Sequence, residues 1–339
     1  MGRSTPVYDK IVETPEAWTA QSLGSVEKLV RQLTPAELAA IDTLLAATRH
    51  KAPQKVTREE FDHPLLNKTL AELKQEIFQG KGVVLVRGLT RERYSEEDFE
   101  RIYWGFGTHW GDAAVQSVNG DRIGHVRKEK VNLHNRGYMD DVELVPHTDA
   151  YALVGLLCVQ RAEAGGLSHM VSIPAIHNEI LRTRPELLAP LYRGFPTAIY
   201  EARGTEDAIS DGDVPLLSCI DGKISALYSR RYVKEAADQL GIDYPPDFAE
   251  ALDYFEMLAQ RPDLRLEFQL QPGEMMVWNN FAMLHARTAF QDSEAHVRHL
   301  LRLWLNVPGS RPVIPEVFTW GLVYDKLNAR RMAAAAAAE

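Results

Sequence analysis

The apolar positions of the chain fall into two textures. In the N-terminal third, Leu38, Ile41, Leu44 and Leu45 recur at helical spacing behind Thr34-Pro35-Ala36-Glu37, a capping box with proline at the first helical position. Leu70, Leu73 and Ile77 repeat the pattern from a start near Thr69 and stop at Gly80, which predicts a second helix. Val83-Val84-Leu85-Val86 then switches to a β-branched run ending in Arg87-Gly88, the signature of a buried strand.

From about residue 115 onward, short strand-like runs recur between Gly, Asp and Asn turns. Leu153–Gln160 reads as a strand, residues 162–166 as a turn, and residues 167–173 as the returning partner of that strand. Residues 175–184 and Pro246–Gln260 read as amphipathic helical interruptions. Residues 274–278 and His299–Asn306 are two further strands. Helices first and many short strands later predict an α+β protein on an antiparallel sandwich or barrel. No repeat and no Pro-, Gly- or Ser-rich linker divides it, so one elaborated domain is expected. The alanine-rich tail from Met332 reads as a frayed helix or an appended remnant.

Composition narrows the classes. The 339 residues carry 38 basic and 47 acidic side chains, a net charge of −9, with 45% hydrophobic and 25% charged residues. That balance supports a sizeable core and excludes extensive disorder. The acidic balance argues against a nucleic-acid partner. The longest apolar run, residues 150–159, is too short for a bilayer, which takes roughly 20 residues, so no membrane segment is expected. The first ten residues lack the apolar stretch of a secretory signal. Cys158 and Cys219 both lie in apolar sequence and read as buried thiols of a reducing compartment, which places the protein in the cytoplasm. No exposed apolar stripe can be assigned, so a homo-oligomer stays open.

Candidate chemistry begins with histidine and carboxylate pairs. Eleven histidines and 47 acids give roughly 1.5 H-x-D or H-x-E pairs by chance, and two occur, so the pair alone says nothing. Geometry separates them. Side chains at i and i+2 share a face in a strand and diverge in a helix. His177-Asn178-Glu179 falls in a helical stretch and reads as solvated surface. His147-Thr148-Asp149 follows Val145-Pro146, where proline favours extended backbone before it, so both side chains can grip one ion. A distal ligand is needed. His285 is the best candidate, against the alternative of a satisfied core histidine.

The segment from Arg298 to Leu305 alternates. Arg298, Leu300, Arg302 and Trp304 share one face, and His299, Leu301, Leu303 and Leu305 form the core face. Guanidinium groups drawn inward must meet an anion, either a bound carboxylate or a remote acid such as Glu163 or Glu274. His296 and His299 could extend a cluster around His285, although His299 shares the Leu301 face and suits a structural role better.

Taken together, His147-x-Asp149, Gly165-Gly166-Leu167-Ser168, the stretch from Trp278 through His285 to Phe290, and Arg298-His-Leu-Leu-Arg302-Leu-Trp304 resemble the TauD/TfdA family of Fe(II)- and 2-oxoglutarate-dependent dioxygenases. The resemblance runs from about Gly82 to Pro308. It implies a distorted double-stranded β-helix, the cupin-like jelly roll, over residues 81–330. Residues 1–80 would be a helical extension packed on it, and residues 331–339 a low-complexity tail.

The resemblance further implies that His147, Asp149 and His285 are the iron ligands and that Arg298 binds the distal carboxylate of 2-oxoglutarate. Ser168 stands where many members have Thr and would help hold that cosubstrate. Arg302 would meet an acidic group of the substrate or of 2-oxoglutarate. Two imidazoles and one carboxylate form the facial triad suited to non-heme Fe(II), leaving positions for 2-oxoglutarate and O2. Succinate and CO2 are then released as a C–H bond is oxidised. Asp149 argues against halogenation, since related halogenases replace that carboxylate with a small residue.

The substrate would be a small molecule, an amino acid or other carboxylate, undergoing hydroxylation, desaturation or cyclisation. Asp140, Asp141 and Glu143 could meet an ammonium group, or form a solvated acidic loop. Gln116, Asn119 and Tyr138 lie on segments able to line the pocket. The competing classes are a cupin-type metal enzyme without a cosubstrate, zinc hydrolases included, and a non-catalytic jelly-roll binding protein. H-E-x-x-H is absent, which weighs against the zinc hydrolases.

Overall fold

The computed structural model describes residues 5–116, 120–128, 140–199 and 202–338, the last four by backbone alone. Asn119 and Tyr138 lie outside the described residues. The capping box at Thr34 forms as expected. The Thr34 hydroxyl accepts from Glu37 N while the Glu37 carboxylate accepts from Thr34 N, and the helix runs Pro35–Thr48. The second helix starts five residues before the expected point and spans Pro64–Gln79. His63 caps it through Nδ1, and Pro64 supplies the preset φ of the first turn.

Two sheets carry the fold. The larger orders Val30–Gln32, Val83–Arg87, Met275–Asn279, Leu153–Gln160, His299–Asn306 and Asp112–Ala113, with Ile123–Val126 also paired to His299–Asn306. The smaller orders Leu266–Phe268, Ser168–Ser172, Met283–Arg287 and Leu144–His147. Every pairing is antiparallel except Val30–Gln32 on Val83–Arg87. The first 80 residues are therefore not purely helical: they add an edge strand to the larger sheet.

Inner faces of the sheets meet in one apolar layer, where Val154, Met276 and Leu300 of the larger touch the cluster of Met170, Phe268 and Met283 of the smaller. The outer face of the larger sheet, including Val84, Val277 and Leu301, packs on the helices Pro35–Thr48, Pro64–Gln79 and Glu96–Trp110. The outer face of the smaller sheet, through Val171 and Leu284, packs on the helices Ile173–Thr183 and Pro246–Gln260. This four-layer arrangement is the jelly roll with flanking helices.

Residues 167–173 do not return beside Leu153–Gln160. The strand Ser168–Ser172 belongs to the opposite sheet. The cause is the corner at Gly165 and Gly166, both with positive φ (71° and 68°), which turns the chain from one sheet to the other. A Cβ at Gly165 would sit 2.2 Å from the Ala289 carbonyl oxygen, so the corner is closed to side chains.

His177 departs from expectation as well. The helix Ile173–Thr183 forms, but the His177 ring is fully buried, with Nε2 2.9 Å from the Tyr8 carbonyl. Asn178 bonds both backbone groups of Val12. That helix face anchors the N-terminal segment rather than meeting water. The alanine-rich tail continues the helix Thr319–Ala338, whose Trp320, Tyr324 and Leu327 reach the inter-sheet core. Among the described residues no helix is long and apolar enough to cross a membrane.

Candidate active site

The strands Leu144–His147 and Met283–Arg287 are neighbours, and their register sets His147 opposite His285. The two rings lie 4.2 Å apart between centroids. Asp149 Oδ2 is 3.5 Å from His285 Nε2, and Asp149 Oδ1 is 3.9 Å from His147 Nε2. One ligand atom from each residue falls within 4.8 Å of the others, enough to enclose a metal ion. The structure therefore brings the three residues into one cluster.

Each member of the H-x-D turn is held separately. His147 Nδ1 contacts the Val145 carbonyl at 2.9 Å, which leaves Nε2 facing Asp149. The Thr148 hydroxyl accepts from Tyr228 N, and Thr148 N donates to Tyr228 O. Asp149 N donates to Asn280 Oδ1, while Asn280 Nδ2 donates to the carbonyls of Asp149 and Tyr151. Trp304 Nε1 donates to Asp149 Oδ2 at 2.8 Å. Neither Asn280 nor Trp304 stood out as a positioning group in the sequence, although both sit inside the motifs read there. An indole beside Arg302 on the same strand face was the available signal.

Burial, helped by the neighbouring His285, pushes the His147 imidazole down to about 4, so it is neutral at physiological pH. Burial alone would raise the Asp149 carboxyl. The hydrogen bond with His285 and the Arg302 guanidinium outweigh it and hold Asp149 well below the usual carboxylate range. A neutral imidazole beside an ionised carboxylate is the protonation state a divalent cation requires.

Next to this cluster lies a cavity, and Ser168, Arg298 and Arg302 line it together with the triad. Leu144, Val154, Leu156 and Trp278 make much of its remaining wall apolar. Arg298 is buried, and its Nη1 has no hydrogen-bond partner. Glu274 pairs instead with Arg87 at 2.6 Å, and Glu163 with His296 at 2.8 Å. The remote-acid alternative for Arg298 is thus not taken up among the described residues. Burial and the nearby Arg287 bring the Arg298 guanidinium down to about 10, still protonated at neutral pH. The Arg298 guanidinium packs on the Phe290 ring, 5.1 Å from its centroid.

Arg302 is fixed from two sides. Its Nε donates to Gln116 Oε1 at 2.8 Å, and its guanidinium stacks 3.9 Å from the Trp304 ring centroid. Gln116 also donates to the Arg302 and Arg122 carbonyls, so it orients the arginine rather than lining the pocket. A second cavity meets His147, Asp149 and Arg302 from another direction, with Asp140, Glu143, Arg231 and Tyr232 in its wall. Asp141 turns away to an ion pair with Lys128 at 2.6 Å. Arg287, which sequence reasoning passed over, donates to the carbonyls of Asp140 and Val142 and so clamps this acidic loop. His299 faces away from the triad, toward His125 and Glu96. His296 is exposed.

A jelly roll carrying two imidazoles and a carboxylate around one open position defines the class of non-heme iron oxygenases. The sequence profile of the family "Taurine catabolism dioxygenase TauD, TfdA family" matches residues 48–304, and the chain belongs to that family. It is 31% identical over 271 residues to FR-33289 synthase of Streptomyces rubellomurinus (strain ATCC 31215), covering 75% of this chain and 78% of that one. It is 28% identical over 347 residues to the taurine hydroxylase-like protein SAT17 of Stachybotrys chartarum (strain CBS 109288 / IBT 7711), covering 91% and 86%.

Among solved structures, asparagine oxygenase in complex with Fe(II), 2S,3S-3-hydroxyasparagine and succinate superposes with a TM-score of 0.65 at 16% identity, over 84% of this chain and 99% of that one. The non-heme iron oxygenase OrfP in complex with Fe and alpha-ketoglutaric acid gives 0.62 at 15% identity, over 82% and 94%. These two share the fold. The chain is an Fe(II)- and 2-oxoglutarate-dependent dioxygenase that oxidises small molecules with O2. The readings as a cosubstrate-free metal enzyme and as a non-catalytic binding protein are set aside by that membership.

Proposed function

We propose that His147, Asp149 and His285 hold the Fe(II), that Arg298 and Ser168 receive the distal carboxylate of 2-oxoglutarate, and that Arg302 meets an anionic group of an amino-acid-like substrate. The observation that carries this reading is the buried Arg298 Nη1, without a partner, in the wall of the cavity it shares with the triad. An unpaired buried guanidinium costs several kcal/mol, and a carboxylate reaching in from the cavity relieves that cost. The nitrogen and oxygen donor set suits a ferrous ion, and the guanidinium fork suits a carboxylate, so the residues present fit both groups.

When bound, iron and 2-oxoglutarate supply the oxidising power: O2 and the keto acid become succinate, CO2 and one oxygen atom delivered to a C–H bond. The chain's own residues do the rest. Arg298 orients the keto acid from its far end. Trp304 donates to Asp149 Oδ2 and so orients the carboxylate that would help hold the metal. The apolar wall of Leu144, Val154, Leu156 and Trp278 limits water beside the triad.

For the substrate, the second cavity offers opposite charges across one space. Asp140 and Glu143 suit an ammonium group, and Arg302 with Arg231 suits a carboxylate. The fold relatives crystallised with hydroxyasparagine and, for OrfP, with (3S)-hydroxy-L-Arg support an amino-acid-like class. Residues 81–330 form the catalytic unit in this reading, with residues 1–80 as a support packed on it and residues 331–339 as its tail. Two thiols in separate clusters suit the cytoplasm.

The test is anaerobic. Adding Fe(II) and then 2-oxoglutarate should produce the visible charge-transfer band of the chelated keto acid, and, once O2 is admitted, amino acids should be screened for succinate release coupled to oxygen-gain or hydrogen-loss products. A band of unchanged affinity in Arg298→Gln would overturn the cosubstrate assignment. Coupled turnover confined to uncharged substrates would overturn the substrate assignment.

A further inference from the structure

On the far face of the larger sheet, away from the triad, a second group of metal-ligating side chains converges. His125 sits opposite Leu301 in the pairing of Ile123–Val126 with His299–Asn306, and His299 lies two residues before Leu301. Both imidazoles therefore project from the same face of adjacent strands. The helix Glu96–Trp110 crosses that face and presents Glu96 and Glu100 one turn apart.

The contacts are close. His125 Nδ1 is 2.9 Å from His299 Nε2, and His299 Nδ1 is 3.2 Å from Glu96 Oε1. His125 Nε2 is 3.7 Å from Glu100 Oε1, beyond hydrogen-bond reach. The rings stack with centroids 5.1 Å apart and planes 26° from parallel. One ligand atom each from Glu96, His125 and His299 lies within 4.8 Å of the others, the same span that the triad shows.

The geometry points to a second metal site, in which His125, His299 and Glu96 bind Zn(II) or a similar divalent first-row ion. It is independent of the iron assignment. Two imidazoles and one carboxylate from two strands and a helix suit zinc, with water completing a tetrahedral set. Arg91 and Arg127 bear on His299 and oppose a cation there. Arg91 is spread over the Phe99 ring, and Arg101 is engaged by Glu97.

A hydrogen-bonded chain without any ion explains the Glu96–His299–His125 contacts. An ion held by the same three groups accounts for the same contacts, so bound metal distinguishes the two arrangements. Bound there, zinc would pin the edge strand Ile123–Val126 and the helix Glu96–Trp110 to the strand that carries Arg302.

The experiment counts ions. Full-length protein is dialysed against Zn(II), and bound metal per chain is measured, with Co(II) absorption as a report of tetrahedral geometry. Wild type should hold two ions, and the His147→Ala/Asp149→Ala variant one. His125→Gln and Glu96→Gln are chosen because both side chains are partly exposed. Each should lower the affinity of the remaining ion by 10-fold or more in the triad-deleted background and abolish the zinc-induced rise in Tm. No ion in the triad-deleted variant, or an ion there indifferent to both substitutions, overturns the site. Loss of the 2-oxoglutarate band would fail the iron assignment without touching this one.

Discussion

Trp304 Nε1 donates a hydrogen bond to Asp149 Oδ2 at 2.8 Å, joining the long strand of the larger sheet to the turn of the proposed iron ligands at the end of the smaller. The bond occupies one carboxylate oxygen and orients the other toward His147. The same indole carries the Arg302 guanidinium on its ring. One side chain thus ties the geometry of the proposed metal site to that of Arg302.

Trp304→Phe keeps the ring and deletes the donor. Partners that orient a ligand from behind are worth roughly 10- to 100-fold in metal affinity. Fe(II) affinity in anaerobic titration should fall by about 10-fold, with turnover partly restored at high iron. An unchanged affinity would mean that Asn280 and the backbone suffice to place Asp149.

Arg298→Gln removes the charge behind the cavity while keeping a donor of similar reach. A hydrogen bond to a charged group contributes about 1.5–3 kcal/mol, and the fork makes two. The KM for 2-oxoglutarate should rise by roughly 100-fold, with Fe(II) affinity within about twofold of wild type. Parallel losses of both would instead indicate a collapsed site.

Arg311 and Glu16 form an ion pair in which both side chains are only 2% exposed, and the Arg311 guanidinium also reaches Ser225 and the Ile224 carbonyl. Glu16→Ala strands a buried guanidinium. Unfolding free energy in urea should drop by about 3–5 kcal/mol. A loss below about 1 kcal/mol would show that solvent reaches the pair.

Glu37 governs part of the acid sensitivity. Burial alone would raise its carboxyl, but donors at Thr34, Thr69 and Arg31 outweigh burial and hold it at about 2, against 4.5 when unfolded. The folded value is the lower one. Its contribution is therefore complete above pH 4.5 and is lost as pH falls from 4.5 toward 2. The stability gap between wild type and Glu37→Gln should narrow over that window in urea titrations at pH 6, 4 and 3. A constant gap would remove Glu37 from the account.

Much of the site was legible because its cues are local. His147-x-Asp149 could be preferred over His177-x-Glu179 from backbone type alone, and the alternating faces from Arg298 to Trp304 follow from the two-residue strand period. The reading failed where local signal ends. His177 was placed at the surface because an amphipathic helix does not reveal that the segment Tyr8–Val12 will cover it, and the Asn178 side chain then closes the contact. The second helix was started at Thr69 because the Pro64 signal precedes the first apolar repeat.

The order of residues alone sufficed for an antiparallel sandwich or barrel, the candidate ligand types and the arginine strand, because periodicity and turn chemistry are encoded within a few positions, and the family resemblance narrowed this to the jelly roll. Only folding in three dimensions decided which strand crosses to which sheet at Gly165 and Gly166, which acids Arg298 does not meet, and which indole steadies Asp149. Those are contacts between residues more than a hundred positions apart or choices of one backbone corner, and short-range patterning carries no term for either.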